Sequence, residues 1–408
     1  MHRKLKIGFI PLYDVHHASS RYRVFQFFDR LRERGFCCYY VPAPLFNRKK
    51  RLAYLPMLFK LALDCDVLYM QKRLFPKWLL NILKRVNDHI IFDFDDAIHL
   101  HVSRQEQFHH TLRSASLIVV GNSYLSGYAS KYNHSIIEIP TVIDTAQYHA
   151  IQGCRHPDES RVLIGWIGMD PNRGDLDLVT NTLARISSTF PDQVAMLIIS
   201  SKPCSRLHDV DQIFIPWTLE TSLRALQRID IGIMPLENTE WNRGKCAFKL
   251  IQYSAVNAAT VASPVGMNKD VIIHNITGFL ANTQEEWLEQ LTILIRDSNL
   301  RIKLGQNGRH HIEQKYSVDA WFDKLVQGIE FVAQLLSQNY LEIIDPIDMS
   351  DPIFKKSALG SFYNIAVTSI TLVLGFIRAI ALMRLLGVDS FGTISLAMVF
   401  SRLVLPFS

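Results

Sequence analysis

Lys245 follows directly on Gly244, and a second lysine, Lys249, stands four residues further on. They open a helical pattern of apolar residues at 247, 248, 250, 251 and 255. At that spacing both amino groups lie on one face near the helix N-terminus. That end already carries partial positive charge, so the pair repels by about a few tenths of a kcal/mol. An anion resolves the conflict, most naturally a phosphate or diphosphate, because the glycine lets a backbone approach closely and the first N–H groups of the helix are free. The apolar runs at 229–236 and 259–264 flank the segment, and both are short and bounded by turn residues, as buried parallel strands are. The lysines therefore stand at the C-terminal end of a buried strand, where such sheets bind ligands. The plain alternative is two solvated lysines.

A second cluster is Asp93, Asp95 and Asp96, in the stretch FDFDDAIH at the end of a strand over 89–94. Three carboxylates so close repel one another unless something positive or hydrogen-bonding faces them. A sugar's hydroxyls, a catalytic proton or a metal would each serve; so would an aspartate capping the next helix. A third is Ser20 and Arg21, in the stretch SSRYR at the first strand-to-helix junction. No G-x-G-x-x-G occurs, so the usual dinucleotide fingerprint is absent. Ser20 could equally be a helix cap beside a solvated arginine pair. The histidine pairs 16/17, 99/101 and 109/110 lack metal-ligand spacing and read as loop and surface residues, so no metal is expected.

These residues sit on a regular framework. Strands are predicted over 6–10, 36–41, 66–70, 89–94 and 117–120, with helices over 20–35, 52–63, 76–86, 105–114 and from 123. After a polar linker at 152–160 the alternation resumes: strands at 162–167, 194–200, 212–215, 229–236 and 259–264, with 277–280 closing the sheet. Helices end near 188, cover 219–227, and begin at 284, 300 and 318. Arg173 falls in the loop after the strand at 162–167. Strands alternating with helices make an α/β chain of doubly wound parallel sheets. At 408 residues the chain is too long for one core. A net charge of +6 suits anionic ligands or an anionic membrane surface and is too diffuse for nucleic acid. The six cysteines form no C-x-x-C pair and read as reduced thiols without zinc. The N-terminus enters a strand at once, so no signal peptide is expected.

Taken together, these landmarks resemble the bacterial group 1 (family 4) glycosyltransferases over about residues 5–340. The residues that carry the likeness are SRYR at 20–23, IIFDFDDA at 90–97, IPTVID at 139–144 and IGWIG at 164–168. The most specific are GKCAFKL at 244–250, VASPVG at 261–266 and TGFL at 277–280. The resemblance implies the GT-B fold: a Rossmann-like acceptor-side domain at 1–150 and a Rossmann-like donor domain at 151–340 whose closing helix returns toward the first. It also implies transfer of a sugar from a nucleotide-diphosphate sugar, with no other cofactor. Arg173, Glu237, Gly244, Lys245 and Lys249 would hold the donor together with Ser20 and Arg21, and Asp95, Asp96 and Lys249 would be catalytic. One departure stands out. Where many members have two glutamates, this chain has Gly244 and Gln252, which leaves the lysines, and at most Glu237 for the ribose. Members generally retain anomeric configuration; for an inverting enzyme Asp95 or Asp96 would be the base.

A linker at 341–358 leads to an abrupt change. Residues 362–383 are nearly all apolar, long enough to span a bilayer. Lys355 and Lys356 precede them and place the enzyme on the cytoplasmic face of the inner membrane. Residues 359–408 resemble the first two transmembrane helices of a Wzx-type polysaccharide flippase; a simple membrane anchor is the alternative. The expected partners are a nucleotide sugar, a polyprenyl-diphosphate-linked or other glycan acceptor, and the membrane. A sugar-nucleotide binding module without activity, or an accessory domain of a flippase, is the other reading.

Overall fold

The apolar runs become strands buried on both faces. In the computed structural model, residues 4–41, 48–148, 161–205 and 207–343 are described. Strands β1 (Lys6–Ile10), β2 (Cys37–Tyr40), β3 (Val67–Gln71), β4 (Ile90–Phe94), β5 (Leu117–Val120) and β6 (Ile136–Glu138) form one sheet, in the order β2-β1-β3-β4-β5-β6. Strands β7 (Val162–Ile167), β8 (Val194–Ser200), β9 (Gln212–Pro216), β10 (Ile231–Met234), β11 (Ala259–Ala262) and β12 (Phe279–Leu280) form the second, in the order β12-β11-β10-β7-β8-β9. Every pairing between these strands is parallel. Counted from β7, the second sheet reads 3-2-1-4-5-6, the Rossmann order, with its switch point between β7 and β10. In the first sheet the order reverses between β1 and β3.

Helices cover both faces, which is why β3, β4, β5, β8, β10 and β11 are buried at every position. In the first unit they are Ala18–Arg23, Phe28–Glu33, Arg48–Asp64, Lys77–Val86, Gln105–Ser114 and Ser123–Ala129. In the second they include Thr180–Thr189, Leu219–Leu226, Phe248–Ala255, Gln284–Arg296 and Ser298–Lys315. The last helix, Val318–Ile343, lays Leu325, Val326, Ile329 and Val332 against Ile7, Phe9, Val67 and Ile91 of the first sheet. Its start is fixed where the chain crosses between the units: Ile143 N–H donates to Tyr316 O (3.1 Å), and Val318 N–H to Ile143 O (2.9 Å).

Three local expectations change. The helix expected over 20–35 is broken at Val24 (φ −131°, ψ −67°) and by a 3-10 turn at Phe25–Phe27. The break turns Arg23 inward and lets Phe28 pack against Phe9 in a tilted pair, ring centroids 4.8 Å apart. The edge strand β6 was not expected; its three residues are only half-buried and give no apolar run. The helix expected to begin at Lys245 begins at Phe248. The predicted interdomain linker and the stretch 344–408, where membrane spans are expected, lie outside the described residues. Among the described residues no helix is long and apolar enough to cross a membrane.

Candidate active site

The second sheet brings its functional groups to the switch point. Trp166 in β7 is fully buried, packed under Gly168, whose place no larger residue could take: a Cβ there would lie 2.5 Å from the indole ring. Tyr253 fixes the end of β7 from below, its hydroxyl accepting the Ile167 N–H at 2.9 Å. The chain from β10 returns through Gly244–Cys246 and enters the Phe248–Ala255 helix at Ala247, which is left-handed (φ 50°). No side chain caps this helix, so its N-terminal amides are unclaimed by a cap.

Lys245 therefore precedes the helix rather than lying in its first turn, yet the two ammonium groups still converge. Lys245 Nζ is 3.3 Å and Lys249 Nζ 3.9 Å from the same oxygen, Oδ2 of Asp175. One carboxylate thus faces two amino groups, and when both are protonated one positive charge is left over. Lys249 Nζ also lies 4.4 Å from the centre of the Trp166 ring. Burial lowers the Lys249 pKa to about 7; Asp175 opposes the shift and Lys245 adds to it. A diphosphate placed here would restore the charge balance that Asp175 only half supplies.

The first sheet supplies the carboxylates, and the structure shows what faces them. Asp93 is fully buried and paired with Arg23, whose Nε lies 3.1 Å from Oδ2 and whose Nη2 binds Oδ1. Arg23 Nη1 also donates to Ile139 O at 2.7 Å. Burial works against the Arg23 charge, but Asp93 outweighs it and holds the guanidinium ionised. Lys72, left-handed (φ 52°) at the end of β3, pairs with both Asp95 and Asp96. Thr141 Oγ1 donates to Asp95 Oδ2 at 2.8 Å. Burial pushes the Asp95 carboxyl up, but Lys72 and Arg23 outweigh it, and its pKa is lowered. Both its oxygens are engaged, so Asp95 is a poor base; Asp96, 39% exposed, is the more available carboxylate. Neither caps the following turn, which begins at Ala97 without a side-chain cap. Among the described residues no group of His, Cys, Asp and Glu could hold a metal.

The other expected residues fall differently. Ser20 is wholly buried; it accepts from Tyr13 N and donates to Gln71 Oε1, so it ties a loop and presents nothing to a ligand. The cap of the first helix is His17. Arg21 does reach the second unit, 6.0 Å from the Trp217 ring, while its Nη2 donates to His16 O. The arginine pair is therefore not jointly solvated, since Arg23 is buried. Glu237 is exposed, and Arg173 has a side chain outside the described residues. Gln252 is buried and donates to Tyr148 OH at 3.3 Å.

Gly244 makes a close approach, but to the other sheet. A Cβ there would stand 2.8 Å from the Ala97 Cβ, and one at Gly121 would stand 2.2 Å from Cys246 Sγ. Asn122 Nδ2 donates across this seam to Gly244 O (3.1 Å) and Lys245 O (3.3 Å), and Cys246 Sγ to Asp95 O (3.3 Å). Sequence reasoning missed Lys72, Asn122 and Asp175, and gave Arg23, Thr141 and Trp166 no role of their own although they stand in the stretches that carry the likeness. The one available signal was Lys72, a charge directly after an apolar strand.

Residues 161–297 match the family model described as glycosyl transferases group 1. A search of the curated proteins finds no match. Among solved structures, HepE (Alr3699) of Anabaena, in complex with UDP and glucose, is similar at 13% identity and TM-score 0.58, over 82% of this chain and all of that one. Sucrose-phosphate synthase of Thermosynechococcus elongatus is similar at 15% identity and TM-score 0.60, over 83% and 99%. A glycosyltransferase of Rickettsia africae is similar at 12% identity and TM-score 0.59, over 81% and 99%. At these identities the likeness establishes the fold: two Rossmann-like units in the GT-B arrangement, the second matching the group 1 glycosyltransferase family.

Proposed function

We propose that this protein is a glycosyltransferase that takes a sugar from a nucleoside-diphosphate sugar and passes it to a glycan acceptor. The observation that carries the reading is the convergence of Lys245 and Lys249 on the single carboxylate of Asp175, at the switch point of the second sheet. Negative charge grows on the leaving diphosphate as the glycosidic bond breaks. Fixed ammonium groups in a desolvated pocket stabilise that charge, each such donor contributing about 2.7–4 kcal/mol. Similar proteins support the donor class, since HepE was solved with UDP and glucose. The reaction needs no metal in this reading, because the lysines supply the positive charge.

The expected outcome is retention of configuration, with Asp96 rather than Asp95 as the base if the enzyme inverts. The acceptor is a polyprenyl-diphosphate-linked glycan of cell-surface polysaccharide assembly. The apolar residues 362–383 would hold the enzyme at the cytoplasmic face of the membrane that holds this acceptor, whether as an anchor or as the start of a flippase. The test is calorimetric titration of the full-length protein, in detergent, with UDP and GDP. Binding that is lost in Lys245→Ala/Lys249→Ala supports the reading; no binding of either nucleotide to the wild type overturns it. A second reading, binding without transfer, draws on Asp95 being fully engaged and on Gln252 standing where a glutamate is usual. Binding without release of sugar to any glycan or water would favour it.

A further inference from the structure

We infer that Asn122 is a positioning residue: its carboxamide holds the donor-binding segment Gly244–Lys245 against the end of β5 in the first sheet. The inference rests on the proposed donor site. Its basis is the division of one side chain between two tasks. Asn122 follows β5 in an extended conformation (φ −163°, ψ 171°), and its Oδ1 accepts the Leu125 N–H at 3.0 Å, capping the Ser123–Ala129 helix. Its Nδ2 turns the other way, to Gly244 O and Lys245 O, and lies 3.6 Å from Cys246 Sγ. The residue is 7% exposed, so both ends of the amide are used inside the protein.

Capping alone does not call for this residue. Ser, Thr and Asp cap as well, but Asp has no donor, and the single hydroxyl of Ser or Thr, already at the cap, is one bond shorter than the carboxamide nitrogen that makes the bridge. The bridge also forms where the backbones are closest. Gly121, next to Asn122, and Gly244 face each other's units at distances that exclude a Cβ, and Cys246 Sγ completes the seam on Asp95 O. Lys245 is one of the two carbonyl partners, and its own side chain reaches Asp175. Because the peptide is planar and trans, turning the Lys245 carbonyl to the first unit turns the Cys246 N–H away from it. The bridge thus fixes the backbone of the anion-binding segment as well as the distance between the units.

The variants Asn122→Asp and Asn122→Ser separate the two tasks. Both keep a capping oxygen and lose the amide Nδ2 that makes the bridge: the serine hydroxyl is too short to span it, and the aspartate has no donor and sets a negative charge against two carbonyls. Thermal unfolding of the Asn122→Ser variant should stay within about a few degrees of wild type, since the cap is kept, whereas Asn122→Asp, with a charge held against two carbonyls, should unfold earlier. UDP affinity should fall about tenfold on loss of the two bridging hydrogen bonds. Small-angle scattering with saturating UDP should show a larger radius of gyration than wild type under the same conditions. Gly121→Ala, which leaves Asn122 intact but drives a Cβ into Cys246 Sγ, should open the seam in the same way. Folded variants that bind UDP and scatter like wild type would overturn the inference. If the wild type binds no nucleotide, the donor reading fails by itself. The scattering comparison without ligand then decides the bridge, equal radii for wild type and both Asn122 variants ruling it out.

Discussion

Donor binding should draw a proton from solution, and Lys249 is the group that takes it up. In the free protein burial brings its pKa to about 7, against 10.5 for an ordinary lysine. Its side chain is 15% exposed, and the compensating anion, Asp175, is shared with Lys245. A diphosphate against Nζ would raise the pKa again, so at pH 7 each bound nucleotide takes up about half a proton. A nucleotide sugar is the ligand of choice, since its diphosphate has no group titrating in this range. If only the protonated amine binds it, raising the pH from 7 to 8.5 weakens binding roughly 16-fold, about 1.6 kcal/mol. Titration calorimetry in buffers of different ionisation enthalpy reads the proton count, and the same titrations read the affinity. Lys249→Arg, charged throughout, should lose both the uptake and the pH dependence. Affinity constant from pH 7 to 8.5, with no proton taken up, would refute the reasoning. The sign for stability follows from the same shift. Between about pH 7 and 10.5 the unfolded chain holds more protons at this position than the folded one, so the contribution of Lys249 to stability rises through that window. Below it the folded protein bears the strain of a buried charge, and Lys249→Met should stabilise the ligand-free protein there by up to a few kcal/mol.

The buried ion pairs give two further expectations. Arg23→Met leaves the fully buried Asp93 without its bidentate partner and should lower stability by about 3–5 kcal/mol in urea unfolding; a loss below about 1 kcal/mol would contradict the assignment. Lys72→Met strips Asp95 and Asp96 of their shared cation while the donor lysines remain. Turnover should fall by at least about tenfold with donor affinity unchanged, and Lys72→Met/Asp95→Asn should recover stability without recovering turnover. Equal loss of affinity and turnover would place Lys72 in the donor site instead.

What could be read from the sequence followed burial. Strands such as β5, and β8 up to Ser200, are covered on both faces, so their residues are apolar without interruption and the α/β alternation showed directly. β6, half-exposed at an edge, left no such trace. The two lysines were legible because glycine, charge and helical period coincide within a few residues. Their counter-ion was not: Asp175 is 70 residues before Lys245 and meets it only because β7 and β10 are neighbours across the switch point. The same holds for the carboxylate cluster, where Lys72 and Arg23 lie 24 and 70 residues from the aspartates they neutralise. Ser20 misled for a related reason. A serine at a helix start reads as a cap or a ligand contact, and only the packed loop shows its hydroxyl turned inward to Gln71.

The most direct measurement is a crystal structure of the full-length protein with bound UDP. The account predicts the diphosphate within hydrogen-bond reach of both Lys245 Nζ and Lys249 Nζ, with Asp175 displaced from at least one of them. A diphosphate bound elsewhere, with both lysines still on Asp175, would contradict it.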